Sequence, residues 1–376
     1  MRNQMLACTL LICAATAALG QQSDSAAFII RLGTDTTIIE RYIRTPDQLV
    51  VEAVQRSPTT SVHRLVVDVN RSGAVSRAVY AVSQPNASQH TLERTITFAG
   101  DSANVVTVQQ GASRTQSAAA RDAIPLAGPF YAPYELAIMR ALSRAKGDSV
   151  ALLSGTNVVR IPVARVGRDS VTLSNQFGEP MRAHVDAAGR ILHLHTPAFT
   201  TVERIRWVDL DALVREFAAR DATGKGLGML SPRHTYRTSV GQANVWVDYS
   251  RPAARGRPVW GRLVPFGAVW RTGANEAAHF ATDRTLQLGD ITLEPGTYTL
   301  FLLPTETDMT LIVNRGTGMS GLERDSAQDL GRVKLDRQTL DQPVESFIIE
   351  VQQTTAGGVL AFAWDRTRSS IPIVVK

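Results

Sequence analysis

Apolar and polar positions alternate with a period of two along most of this chain, and turn residues punctuate the alternation. From Phe28 to about Arg206 the runs are short. Leu65-Val-Val-Asp-Val69 leads through Asn70-Arg-Ser-Gly73 into Ala74–Val79, and Met181–Val185 leads through Asp186-Ala-Ala-Gly189 into Arg190–Leu194. Both turns read Asx-x-x-Gly, the chemistry of a type I turn closed by a glycine at positive φ. An antiparallel meander with hairpins follows. One helix interrupts it, with Pro133 in its first turn, periodic residues from Tyr134 to Ala145 and a stop at Gly147.

A second helical pattern covers roughly 209–222 and runs into Thr223-Gly-Lys-Gly-Leu-Gly228, a glycine-rich segment that reads as a linker. Beyond it the alternation returns. Strands are expected over Asn244–Tyr249, Ala278–Leu288, Ile291–Leu293, Thr297–Leu303, Met309–Asn314, Arg332–Leu335, Val344–Val351, Val359–Trp364 and Ile371–Val375. Gly289-Asp290 and Glu294-Pro295-Gly296 supply sharp reversals. Many short strands at regular spacing predict a β-sandwich or jelly roll. The expected organisation is mainly β. It has a leader over 1–20, an antiparallel domain with one or two helices over 21–208, a helix and linker over 209–230, and a sandwich over 231–376.

The leader is expected from Arg2 followed by an apolar stretch from Met5 to Leu19, with small residues before a cleavage point near Gly20/Gln21. It predicts a periplasmic or secreted protein. Cys8 and Cys13 are the only cysteines of the 376-residue chain and both fall inside it. Disulfides, thiolate metal sites and cysteine nucleophiles are therefore not expected in the mature protein. Removing Arg2 lowers the formal charge from +6 to +5, spread along the chain without a basic stripe. That distribution argues against a nucleic-acid partner. After the leader no apolar stretch approaches the ~20 residues that span a bilayer.

The densest chemistry lies between Val245 and Glu276, where a strand enters a loop rich in Arg, Trp, Pro and Gly. Val247-Asp-Tyr-Ser-Arg-Pro252, Gly256-Arg-Pro-Val-Trp-Gly261, Leu263-Val-Pro-Phe-Gly267, Val269-Trp-Arg-Thr-Gly-Ala-Asn-Glu276 and Pro295-Gly-Thr-Tyr-Thr-Leu-Phe301 together resemble the family called domain of unknown function 2911, found in bacterial envelope proteins. The resemblance covers 231–376 and implies no established activity. It departs from the family pattern after Asn314, where a Trp-Gly pair and a tyrosine give way to Arg315-Gly-Thr-Gly-Met-Ser-Gly321. The first domain resembles, in pattern only, the half-barrels of envelope lipoprotein carriers, which would imply lipid handling.

Arg271 and Asn275 flank Gly273, which lets the loop reverse so that both can turn toward one centre. A guanidinium suits a carboxylate, a phosphate or vicinal sugar hydroxyls. With Trp260 and Trp270 as a stacking wall and Asp248 or Glu276 as acceptor, and with Tyr249 and Arg251 beside them, the set would bind a small polar ligand, a glycan or an envelope partner without catalysis. The competing reading makes Arg271 a partner for loop carbonyls and Glu276, with the tryptophans filling the core beneath.

Asp248 and Glu276 also allow a carboxylate pair for hydrolysis of envelope carbohydrate or ester, although ion pairs with the adjacent Arg251 and Arg271 explain them equally. His193 and His195 share a strand face, a two-ligand metal platform in principle. With Val185 facing Ile191, His184 should point to the opposite face, so no metal or other cofactor is expected. Neither a nucleophile elbow nor a phosphate loop is present. Asn70-Arg-Ser72 and Asn86-Ala-Ser88 match the glycosylation triplet, which carries little weight in a bacterial-looking chain.

Overall fold

A computed structural model describes residues 23–70, 73–143, 149–318 and 320–376; the expected leader over 1–20, the tip of the first Asx turn and the expected helix stop at Gly147 lie outside them. Eight strands come first: β1 (Asp24–Leu32), β2 (Asp35–Arg44), β3 (Gln48–Gln55), β4 (Ser61–Val69), β5 (Val75–Ser83), β6 (Leu92–Ala99), β7 (Ser102–Gln109) and β8 (Ala112–Ala119). An insertion follows, made of β9 (Ile124–Leu126), α1 (Ala132–Leu142), β10 (Val150–Ser154) and β11 (Asn157–Ile161). The meander then resumes with β12 (Val163–Val166), β13 (Ser170–Ser174), β14 (Pro180–Val185), β15 (Ile191–His195) and β16 (Thr200–Ile205), and ends in α2 (Leu210–Ala222).

β16 pairs with β1, so the thirteen strands join into one antiparallel sheet ordered β12-β13-β14-β15-β16-β1-β2-β3-β4-β5-β6-β7-β8. Alternation decides its faces. Phe28, Ile30, Leu49, Val51, Leu65 and Val67 turn to one side and pack on Ile124, Phe130, Ile138 and Leu152 of the insertion. On the opposite side Ile39 and Val54 receive Leu210, Val214 and Phe217 of α2. Those three residues with Leu213 fall at i, i+3, i+4 and i+7, a single apolar stripe. Asp209 caps α2 by accepting from the Ala212 N–H at 3.0 Å.

Two carboxylates tie α1 to the sheet, Glu40 from β2 and the helix's own Glu135. Glu40 accepts from the Tyr131 and Ala132 N–H groups at 2.7 and 2.8 Å, satisfying the helix start. Glu135 accepts from the Tyr42 hydroxyl at 2.5 Å, Arg204 at 2.9 Å and the Ile191 N–H at 2.7 Å.

The histidine register departs from expectation. Val185 does face Ile191, but Leu192 is an extra residue in a bulge, so His184 stands opposite His193. His184, His193 and His195 therefore share one exposed face. Among the described residues no group of three His, Cys, Asp or Glu is placed to hold a metal ion.

The second half holds β17 (Arg233–Val240), β18 (Ala243–Ser250), β19 (Ala278–Thr282), β20 (Leu286–Leu288), β21 (Ile291–Leu293), β22 (Gly296–Pro304), β23 (Met309–Asn314), β24 (Asp329–Lys334), β25 (Asp336–Thr354) and β26 (Gly357–Val375). A six-stranded sheet, β17-β18-β19-β22-β23-β24, packs on a four-stranded one, β21-β20-β26-β25. The shared core includes Val245, Val247, Phe280, Leu300 and Leu311 from the first, with Phe347, Ile349, Leu360, Phe362 and Trp364 from the second. The single strand expected over Ala278–Leu288 is two, one in each sheet. The stretches expected around Val359–Trp364 and Ile371–Val375 belong to one long strand, β26.

The two halves meet at a loop. The carbonyl of Arg255 accepts from the Thr34 N–H at 2.9 Å, and its guanidinium pairs with Asp35. Arg257 donates to the Ala198 carbonyl at 3.3 Å.

Candidate functional site

β18 sorts the expected site residues onto two sides of its sheet. Val245, Val247 and Tyr249 point inward, while Trp246 and Asp248 point out. Tyr249 is buried and its hydroxyl donates to the Ile349 carbonyl at 3.4 Å. Trp270 stacks on Trp364 with ring centroids 5.5 Å apart and meets Phe347 edge-on at 4.8 Å. Trp260 meets Trp270 edge-on, and its indole N–H donates to the Trp364 carbonyl at 3.3 Å. These aromatic rings anchor the loop to the core.

Arg271 Nη1 donates to the carbonyls of Asn275 and Ser320 at 2.7 and 3.2 Å. Arg251 Nε reaches the Phe347 carbonyl at 3.4 Å. Asn275 is exposed, at φ +63°. Arg271 and the two tryptophans thus serve the loop's own backbone and packing.

The outer face carries a different group. Arg233 Nε and Nη2 donate to Asp248 Oδ1 and Oδ2 at 2.7 and 2.6 Å, and Thr235 adds its hydroxyl to Oδ1 at 2.7 Å. Glu276 lies 3.8 Å from the same Arg233 Nη2. One arginine, rather than Arg251 and Arg271 separately, neutralises both carboxylates. Partial burial pushes the Asp248 carboxyl up, but the hydrogen bonds from Arg233 and Thr235 and the guanidinium charge outweigh it and hold the group below the usual carboxylate range. Burial and the nearby Arg233 keep the His279 imidazole below its ordinary value. The Gly318 N–H donates to His279 Nε2 at 3.3 Å, which assigns the ring proton to Nδ1, 4.0 Å from Asp248.

Trp246, Asp248, His279, Ala281, Thr297, Thr317 and Gly318 line a groove of 260 Å³. Ala281 stands opposite Trp246 and opposite Thr297, so a small side chain sets a low floor between larger walls. The Arg315–Gly318 wall is fixed by Asn314, whose Oδ1 accepts from the Gly316 N–H at 2.8 Å, and by Thr299, which donates to the Gly316 carbonyl at 2.5 Å. Arg237 sits over the Trp246 ring at 5.8 Å.

The groove offers an aromatic surface, a fixed anion, a neutral imidazole and a threonine hydroxyl. Such a set suits a ligand with alternating hydroxyls and C–H faces. It does not suit proton donation by Asp248, which stays ionised.

Of the expected residues, only Asp248 lines this groove, and Glu276 adjoins it through Arg233. Arg233, Trp246, His279, Thr297 and Thr317 were missed. The outward phase shared by Trp246 and Asp248 was readable from the alternation, whereas Arg233 and His279 reach the site through strand pairing.

No curated protein matches the chain closely enough to count as a relative. A solved structure entitled "The Structure of Intact Ap-TbpB (N and C lobes)" aligns at 9% identity with a TM-score of 0.15, over 95% of this chain and 78% of that one. Residues 231–373, the part that carries the groove, match the family described as protein of unknown function (DUF2911), and the part before them matches no family.

Proposed function

We infer that this is an exported bacterial envelope protein whose C-terminal sandwich binds a small polar ligand without catalysis. Export rests on the leader pattern of residues 1–20 and on the resemblance of 231–376 to an envelope family. The groove beside Trp246 is the binding site, and a glycan is the ligand class its chemistry fits best. The observation that carries this reading is Asp248: clamped by Arg233 and Thr235, it remains about one-third exposed at the groove, beside an indole and an imidazole. A carboxylate held this way accepts hydroxyl hydrogen bonds without itself moving.

The hydrolase alternative has less support, because Asp248 and Glu276 share one guanidinium instead of facing each other across a cleft. Lipid handling by the first domain also has less support, since the apolar face of its sheet is already packed against the β9–β11 insertion. Tryptophan-fluorescence and calorimetric titration of the full chain against a glycan panel tests the proposal. Binding should be lost in Trp246→Ala and kept in Arg271→Ala. Saturable glycan binding that survives Trp246→Ala would place the site elsewhere.

A further inference from the structure

The thirteen-stranded sheet ends at β8, whose free edge has a phase that can be read from its hairpin. Gln110 and Gly111 have φ of +50° and +79°, the signature of a two-residue type I′ turn. Gln109 and Ala112 flank that turn and so form a hydrogen-bonded pair. Counting in twos, Ala112, Arg114, Gln116 and Ala118 bond to β7. The Ala120 N–H bond to the Asp101 carbonyl, at 2.8 Å, continues the same phase. Ser113, Thr115, Ser117 and Ala119 therefore direct their N–H and C=O groups away from the sheet, and all four residues are exposed.

Free edges invite pairing unless they are short, charged, bulged or interrupted by proline. At the other end of this sheet β12 has four residues and follows Pro162. β25 carries Pro343 and two irregularities of register. β24 carries Arg332 and Lys334. β8 is neither short, bulged nor interrupted by proline. Its eight residues pair with β7 without a bulge, it lacks proline, and Arg114 is its sole charge.

We propose that β8 is a homodimer interface, pairing antiparallel with β8 of a second copy of this chain. A two-fold axis at Gln116 sets Thr115 opposite Ser117 of the second copy and Ser113 opposite its Ala119, so that outward groups meet outward groups. Thr–Ser pairs across strands add hydroxyl hydrogen bonds on the outer face. Arg114 then lies opposite Ala118 of the second copy, and no like charges meet. Sliding the register until Arg114 meets its own copy would be opposed by charge, which favours the centred pairing. The symmetry is closed, so the assembly stops at two. A second copy fits this edge better than a partner of other chemistry, because in this register the strand is complementary to itself in hydroxyl pairs and charge.

Sedimentation equilibrium on the full chain tests the proposal, with a mass twice that of one chain expected. Thr115→Pro removes an outward N–H and leaves the β7 ladder intact, so it should give the monomer mass in a chain that still unfolds cooperatively, with the midpoint lowered only by the lost association. A Thr115→Lys, Ser117→Lys double variant guards against misfolding of the proline variant. It sets lysines opposite lysines across the axis and should dissociate the dimer, with partial recovery in high salt. A wild-type chain that stays monomeric would overturn the proposal, as would a dimer that survives in a folded Thr115→Pro chain and in the lysine variant. Pairing of β8 with an extended peptide from a monomeric chain would overturn it too.

Discussion

Arg233 grips Asp248 with two parallel hydrogen bonds, and the same guanidinium faces Glu276 at 3.8 Å. Planarity makes that fork possible, and a lysine in its place would keep the charge but not the geometry. Arg233→Lys should therefore weaken glycan binding by about tenfold, or ~1.4 kcal/mol. Its cost to folding should stay under ~1 kcal/mol, because Asp248 is about one-third exposed and water screens the pair. Calorimetry and urea unfolding separate the two effects. Loss of stability without loss of affinity would mean that the clamp serves the sheet edge alone.

Arg271 makes the opposite case. Its Nη1 satisfies the Asn275 and Ser320 carbonyls, tying two segments of loop together. Arg271→Ala should cost ~1–2 kcal/mol of stability, the scale of a charged donor lost from a partly solvated site. Ligand affinity at the Trp246 groove should not change. A variant with native stability and lost binding would return the site to the loop.

Much of this architecture was legible because it is local. The Asx-x-x-Gly turns, the stripe on α2 and the inward–outward phase of β18 each sit within a dozen residues. What escaped depended on partners far along the chain. β17 reads Arg-His-Thr-Tyr-Arg-Thr-Ser-Val, too polar to stand out, and becomes a strand by pairing with β18. That pairing also carries Arg233 to Asp248. The extra residue at Leu192 has no signature in composition, yet it moves His184 to the other face. For Arg271, residue type alone does not say whether a guanidinium faces a ligand or its own backbone.

Burial raises the Glu40 carboxyl to about 8, against the pull of the two N–H groups it accepts, and burial also raises Glu135. A carboxyl with a raised folded-state value binds its proton more tightly in the native protein, so its contribution to stability is lost as pH rises toward 8. His63 acts the other way. Burial lowers it to about 4, so the unfolded chain takes up the proton first and stability falls as pH drops below its ordinary 6.5. His195 and His279 are lowered as well and act in that same range. Between pH 6.5 and 8 the histidine contribution fades, and stability should decline with rising pH through Glu40. Glu40→Gln should flatten that decline. Chemical unfolding at pH 6.5 and 8 checks it, and a wild-type slope that is zero or positive would contradict it.

Gly33 and Arg255 set how the two halves of the chain are joined. Gly33 has φ of +60°, and a Cβ there would lie 2.1 Å from the Arg255 carbonyl oxygen. That carbonyl is the one that accepts from the Thr34 N–H, so the turn between β1 and β2 needs a residue without a side chain to reach it. From the other side, the Arg255 N–H donates to Glu345 at 2.7 Å, which fixes the loop to β25. Gly33→Ala meets both a backbone collision and an unfavourable φ, and moving the Arg255 loop away to relieve it weakens the contact between the halves. The expected result is a single thermal transition that splits into two, with faster proteolysis in the Thr223–Leu230 segment as the docked state opens more often. Arg255→Ala should act in the same direction but more weakly, because the Thr34 bond is to backbone and survives. Two variants that keep one transition and the wild-type cleavage rate would show that the halves are held by other contacts.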